Sequence, residues 1–171
     1  MERDALQFNN TFILGTTLWS EIPDHLYQTA ASSMNDYNLS YNHSKGETPR
    51  KLTPRETTLE FRRSFAWLQE QLQKVERQNL TAIILTHHTP LLKGTSDPKY
   101  DGSELTPCFS TDLGQLMQRY AKHIKAWAAG HTHYNFDLTH GASGVRVLSN
   151  QRGYKTGSKV GYDPRGKIIE T

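Results

Sequence analysis

The chain has 171 residues, 35% of them hydrophobic and 22% charged, and a net charge of +3, a balance that fits one globular domain. Its single cysteine, Cys108, excludes an internal disulfide and a multi-cysteine zinc site and fits a reducing, cytoplasmic setting. It has no apolar run of about 18 residues and no basic-then-apolar leader, so neither a membrane span nor a signal segment is expected. Basic residues gather at Lys45, Arg50, Lys51 and Arg55 and again from Arg152 to Lys167. They suit a solvated surface, and no aromatic-interleaved basic stretch or recognised module points to nucleic acid.

Residues 11–19 read as a strand, and Pro23 opens a short helix that runs to residue 31. Residues 35–51, rich in Asn, Ser, Gly and Tyr, read as a surface loop in which Tyr37 and Tyr41 serve as loop packing. Thr53-Pro54-Arg55-Glu56 then combines an N-cap hydroxyl, a proline at the first helical position and a glutamate placed to close a capping box. Phe61, Phe65, Leu68, Leu72 and Val75 follow at steps of four and three, one apolar stripe for a sheet, with Trp67 off it.

Thr81-Ala82-Ile83-Ile84-Leu85 is a short apolar strand that ends in Thr86-His87-His88-Thr89-Pro90. Residues 89–109 hold three prolines, two glycines and no period, a long loop of the kind that borders sites, with Cys108 as a small apolar filler. Its charges, Lys93, Asp97, Lys99 and Glu104, are read chiefly as solvated. A shorter helix carries Leu113, Leu116, Met117 and Tyr120 on one face. Residues 124–129 form the next strand and reach Gly130-His131-Thr132-His133. The turn Gly141-Ala142-Ser143-Gly144 leads to a last strand over residues 145–148, which closes a hairpin. Strands alternating with helices give an α/β fold with helices on at least one sheet face.

Two of these strands end in imidazoles. In extended backbone residues i and i+2 share a face, so His131 and His133 are expected to point together and Thr132 away. With His87 and His88 at the other strand end, one histidine cluster at the mouth of the sheet follows. Neutral imidazoles suit zinc, iron, manganese or copper, but three nitrogens are an incomplete sphere, and a dinuclear hydrolytic site also needs carboxylates. Asp112 and Asp137 are the acidic residues to test first for that role.

The string Gly15-Thr16-Thr17-Leu18-Trp19-Ser20, then Met34-Asn35-Asp36-Tyr37, a long helix, Thr86-His87-His88-Thr89-Pro90, Gly130-His131-Thr132-His133 and Asn150-Gln151-Arg152-Gly153-Tyr154 come in an order that resembles the C-terminal half of calcineurin-like metallophosphoesterases. The resemblance covers the chain from about residue 11 onward. It implies one sheet and one helical layer of an α/β/β/α sandwich, and hydrolysis of a phosphorylated substrate with divalent Mn, Fe or Zn. It further implies that His87 and His131 serve one metal, that His133 serves a second, and that His88 lines the pocket.

The family's N-terminal Asp-x-His, Gly-Asp-x-x-Asp and Gly-Asn-His-Asp/Glu motifs do not occur, so the bridging Asp and the general-acid His have no counterpart in the chain. The resemblance therefore leads us to expect weak or partial metal occupancy and a chain inactive alone. The alternatives are a non-catalytic remnant that acts by association and a metal-binding protein without turnover. The strand segments 11–14 and 83–85 are apolar at consecutive positions, the pattern of strands covered on both faces. Helices of this chain can cover one side only, so a homodimer through the uncovered sheet face is expected.

Overall fold

A computed structural model describes residues 1–42, 48–154 and 161–170. Lys45 of the first basic cluster, and Lys155 and Lys159 of the second, lie outside the described residues. The chain opens with strand β1 (Asp4–Phe8), which turns back into β2 (Thr11–Thr16). A single 3₁₀ turn at Asp24–Leu26 leads into α1 (Tyr27–Ser33) and α2 (Asn35–Leu39). A two-stranded ribbon pairs β3 (Tyr41–Asn42) with β4 (Arg50–Lys51). The long helix α3 (Pro54–Arg77) feeds β5 (Thr81–Thr86), and α4 (Thr106–Phe109) and α5 (Gly114–Arg119) precede β6 (Ile124–Ala128). The hairpin of β7 (Asp137–Thr139) and β8 (Arg146–Leu148) ends the sheet.

The six-stranded sheet has the order β1-β2-β5-β6-β8-β7. Its four inner strands run parallel, and the two edge strands are antiparallel to their neighbours. The fold is therefore α/β with a mixed sheet. Parallel neighbours need a crossover, and α3 supplies the one between β2 and β5.

Pairing in register puts Phe12, Leu14, Ala82, Ile84, Trp127 and Val147 on one face, all buried in a core shared with Phe61, Leu68, Leu72 and Val75 of α3. The expected stripe is thus the one that packs, with Phe65 and Trp67 partly buried against it. The opposite face carries Ile13, Ile83 and Leu85, each only partly covered, and on β1 Leu6, 59% exposed, and Phe8, 68% exposed. No described helix is long and apolar enough to cross a membrane.

Three segments depart from the sequence reading. β1 is an added edge strand. Residues 35–51 are not all loop, because Tyr37 is 2% exposed and its hydroxyl lies 2.9 Å from Thr57 Oγ1, so burial overrides the weak helix propensity of Asn, Asp and Tyr in α2. Cys108 sits on α4, fully buried with Ile22, Leu26, Ala30, Met34 and Tyr37 in a second small core. This second core fastens α2 to the rest of the molecule.

Candidate metal centre

The ends of β2, β5 and β6 are tied together by backbone. The amides of His87 and His88 both donate to the Thr17 carbonyl, at 3.2 and 3.1 Å, and the Gly130 amide donates to the His87 carbonyl at 2.9 Å. A Cβ at Gly130 would stand 3.4 Å from His87 Nδ1 and from its carbonyl oxygen, in ordinary van der Waals contact. Beneath these contacts Thr86 Oγ1 donates to the His88 carbonyl at 2.7 Å and accepts the Trp127 indole N–H at 2.9 Å. The buried indole thereby supports the backbone turn that aims both histidines.

After β6 the backbone is not extended. His131 and His133 have φ of +69° and +53°, in the left-handed region, so the two-residue alternation that would point them together does not apply. His131 turns inward, with 8% of its side chain exposed. His133 is exposed, its ring edge-on to Tyr154 at 4.4 Å, and its amide donates to Gln151 Oε1 at 3.0 Å.

His88, 1% exposed, stacks on His131 with ring centroids 4.1 Å apart, and its Nδ1 lies 2.8 Å from Ser20 Oγ. His131 Nδ1 lies 3.1 Å from His87 Nε2. On the far side of each inner ring, His88 Nε2 and His131 Nε2 are buried and have no hydrogen-bond partner. Asp36, delivered by α2, brings Oδ2 to 3.9 Å from His131 Nε2. Asp36, His87, His88 and His131 each offer one ligand atom, and these atoms all lie within 4.8 Å of one another.

Electrostatics favour neutral rings. Burial, then the neighbouring His87 and His133, push the His131 imidazole down to about 3, and burial, then His131 and His87, hold His88 well below the ordinary histidine range. Burial also raises the Asp36 carboxyl above its usual value. Two buried imidazole nitrogens without partners beside a desolvated carboxylate form a donor set whose unmet electrostatic need is a cation, so the residues present fit a metal ion.

Of the residues singled out from the sequence, His87, His88 and His131 come together, and His133 stands beside this group. Asp36 was visible only as part of the string Met34-Asn35-Asp36-Tyr37 and carried no assigned role, since its approach depends on the unforeseen α2. Asp112 and Asp137 do not join. Asp112 Oδ1 accepts the Gly114 amide at 2.9 Å, and Asp137 is held by Arg146 through two bonds of 2.8 Å. In the long loop, Asp97 and Lys99 pair with each other at 3.0 Å.

No family model matches the chain. It is similar to an uncharacterized protein, L509, of Acanthamoeba polyphaga mimivirus, with 29% identity over 160 residues, which cover 90% of this chain and 54% of that protein. The chain thus spans about half the length of the relative it matches.

Proposed function

We propose that this chain binds a divalent transition metal at the Asp36–His87–His88–His131 cluster, and that the cluster is the histidine-rich part of a centre for metal-dependent hydrolysis of phosphoric esters. The observation that carries the metal reading is the pair of buried, partnerless nitrogens on His88 and His131, the latter 3.9 Å from Asp36 Oδ2, in a group that also holds Asp36 and His87. The resemblance of the Thr86–Pro90 and Gly130–His133 segments to calcineurin-like metallophosphoesterases supports the hydrolytic part.

A metal there would polarise a phosphoryl oxygen and lower the pKa of bound water. The chain's own contribution is positional. Thr17 and Gly130 fix the two histidine-bearing turns, His88 and His131 are withdrawn from solvent, and His87 and His133 are the exposed histidines that a phosphorylated substrate would reach first. Among the described residues Asp36 is the one carboxylate grouped with these histidines, and the resembled family's general-acid motif has no counterpart in the sequence. The isolated chain is therefore expected to bind metal and hydrolyse very little.

The test is elemental analysis after dialysis against Zn²⁺, paired with p-nitrophenyl phosphate assays in Mn²⁺, Co²⁺ and Zn²⁺. Bound metal with negligible turnover is expected. Robust turnover abolished by His131→Ala would show that the chain is a complete enzyme, and absence of bound metal would remove the proposal.

A second reading, association through the open sheet face, is favoured by a separate observation: Leu6 and Phe8 stand exposed beside the partly covered Ile13 and Ile83. A second copy of the chain is the occupant we infer for that face.

A further inference from the structure

The four-residue cluster divides into two kinds of residue. A neutral imidazole has one N–H and one lone pair, and which nitrogen carries the proton follows from the partners of each. His88 has its one partner at Nδ1, Ser20 Oγ, and none at Nε2; His131 has His87 Nε2 at Nδ1 and none at Nε2. Placing both protons on Nδ1 lets His88 donate to the Ser20 hydroxyl and His131 donate to the lone pair of His87 Nε2. Both inner contacts are then satisfied, and two bare lone pairs remain at the Nε2 atoms.

The opposite tautomers would bury two N–H donors with nothing to receive them. Asp36 does not rescue His131 as a hydrogen-bond acceptor, because 3.9 Å is beyond hydrogen-bond range. That spacing is a few tenths of an ångström above the roughly 3.3–3.6 Å between ligand atoms on one tetrahedral Zn²⁺, a gap that a small side-chain shift closes.

We propose that the site is mononuclear, with one borderline divalent ion such as Zn²⁺ or Co²⁺ held by His88 Nε2, His131 Nε2 and the Asp36 carboxylate, while His87 and Ser20 are positioning residues that orient the two ligand rings. This rests on the reading that the cluster binds metal, and it departs from the ligand set that the family resemblance implies. His88, the second histidine of its turn, is a ligand. His87, the first, acts through His131. His133, exposed against Tyr154, is not a ligand. Metal-bound imidazoles commonly donate their remaining N–H to an acceptor, and Ser20 and His87 stand where those acceptors belong. Two nitrogens and one carboxylate oxygen leave at least one position open to water or a phosphoryl oxygen, and imidazole favours Zn²⁺ or Co²⁺ over Mg²⁺ or Ca²⁺.

The experiment is Co²⁺ titration of the metal-free chain, followed by visible d–d absorption and calorimetry, with circular dichroism on each variant. One Co²⁺ per chain is expected. Asp36→Asn, nearly isosteric, should abolish binding, as should His88→Ala and His131→Ala. Ser20→Ala and His87→Ala should weaken binding about 10–100-fold and shift the d–d bands, and His87→Gln, whose amide oxygen still accepts, should recover most of the loss. His133→Ala should bind as the parent does.

Two ions per chain, or binding that survives Asp36→Asn but is lost in His133→Ala or in His87→Gln, would overturn the ligand assignment and leave the metal-dependent reading standing. Binding by the proposed set with negligible hydrolysis would leave the assignment standing and is the outcome expected of the chain alone. No Co²⁺ binding would overturn both.

Discussion

At the scale of single residues, Thr86 links core to site. Its hydroxyl accepts from Trp127 Nε1 and donates to the His88 carbonyl, so one oxygen satisfies a fully buried indole and holds the turn that presents His87 and His88. Thr86→Val keeps the shape and removes both bonds. Leaving the buried indole N–H unpaired should cost about 1–3 kcal/mol, read as a lower urea midpoint at unchanged slope, with weaker metal binding alongside. The sequence made the threonine-histidine turn conspicuous but could not reveal this link, because Trp127 is 41 residues away. The residues of the centre were unevenly legible for a similar reason. His87, His88 and His131 announce themselves by lying at strand ends. The placement of His133 and Asp36 depends on two left-handed φ values and on a short helix anchored by Tyr37, and neither leaves a periodic trace in the sequence.

At the scale of elements, α3 was the most readable piece because its start signals are local. Thr53 Oγ1 accepts the Glu56 amide at 3.4 Å, the Glu56 carboxylate accepts the Thr53 amide at 3.1 Å, and Pro54 occupies the first turn. Thr53→Ala should cost about 0.5–2 kcal/mol in chemical denaturation. The same cap gives a signed pH dependence. Hydrogen bonds from Arg50, the largest cause, with others from Thr53 and Asn42, hold the Glu56 carboxyl down to about 2 against an ordinary value of 4.5. Between those values the unfolded chain binds a proton that the folded chain refuses. The stabilisation is therefore complete above about pH 4.5 and fades as pH falls toward 2. Glu56→Gln should flatten that part of a denaturation profile measured from pH 6 to pH 2. β1 and α4 were harder to foresee. β1 is a five-residue edge strand with every residue exposed, so it lacks the buried alternation that marks a strand, and α4 is held by the burial of Cys108 and not by any helical period.

At the scale of the whole molecule the sheet is covered on one face by α3 and α5 and left partly open on the other. The consecutive apolar residues of β2 and β5 suggest strands made for two covered faces, and on the face away from α3 Ile13, Ile83 and Leu85 are partly covered within the chain itself. If a second copy covers the open face, Leu6→Glu with Phe8→Glu should shift the light-scattering mass of a micromolar solution from dimer to monomer without loss of helix signal. A parent chain that is already monomeric at that concentration, and that does not bind a hydrophobic dye, would remove the dimer. The order of the inner strands also bears on how the chain reaches this state. Thr16 pairs with Thr86 and Leu85 with Ala128, so the strand ends that carry the candidate centre meet only after long connections have closed. Non-local pairing of this kind slows folding, and the meeting of Asp36, His88 and His131 is expected late on the route. The proposed ion, if it needs all three, would bind only once the chain is nearly native, leave the folding rate almost untouched and act as a brake on unfolding.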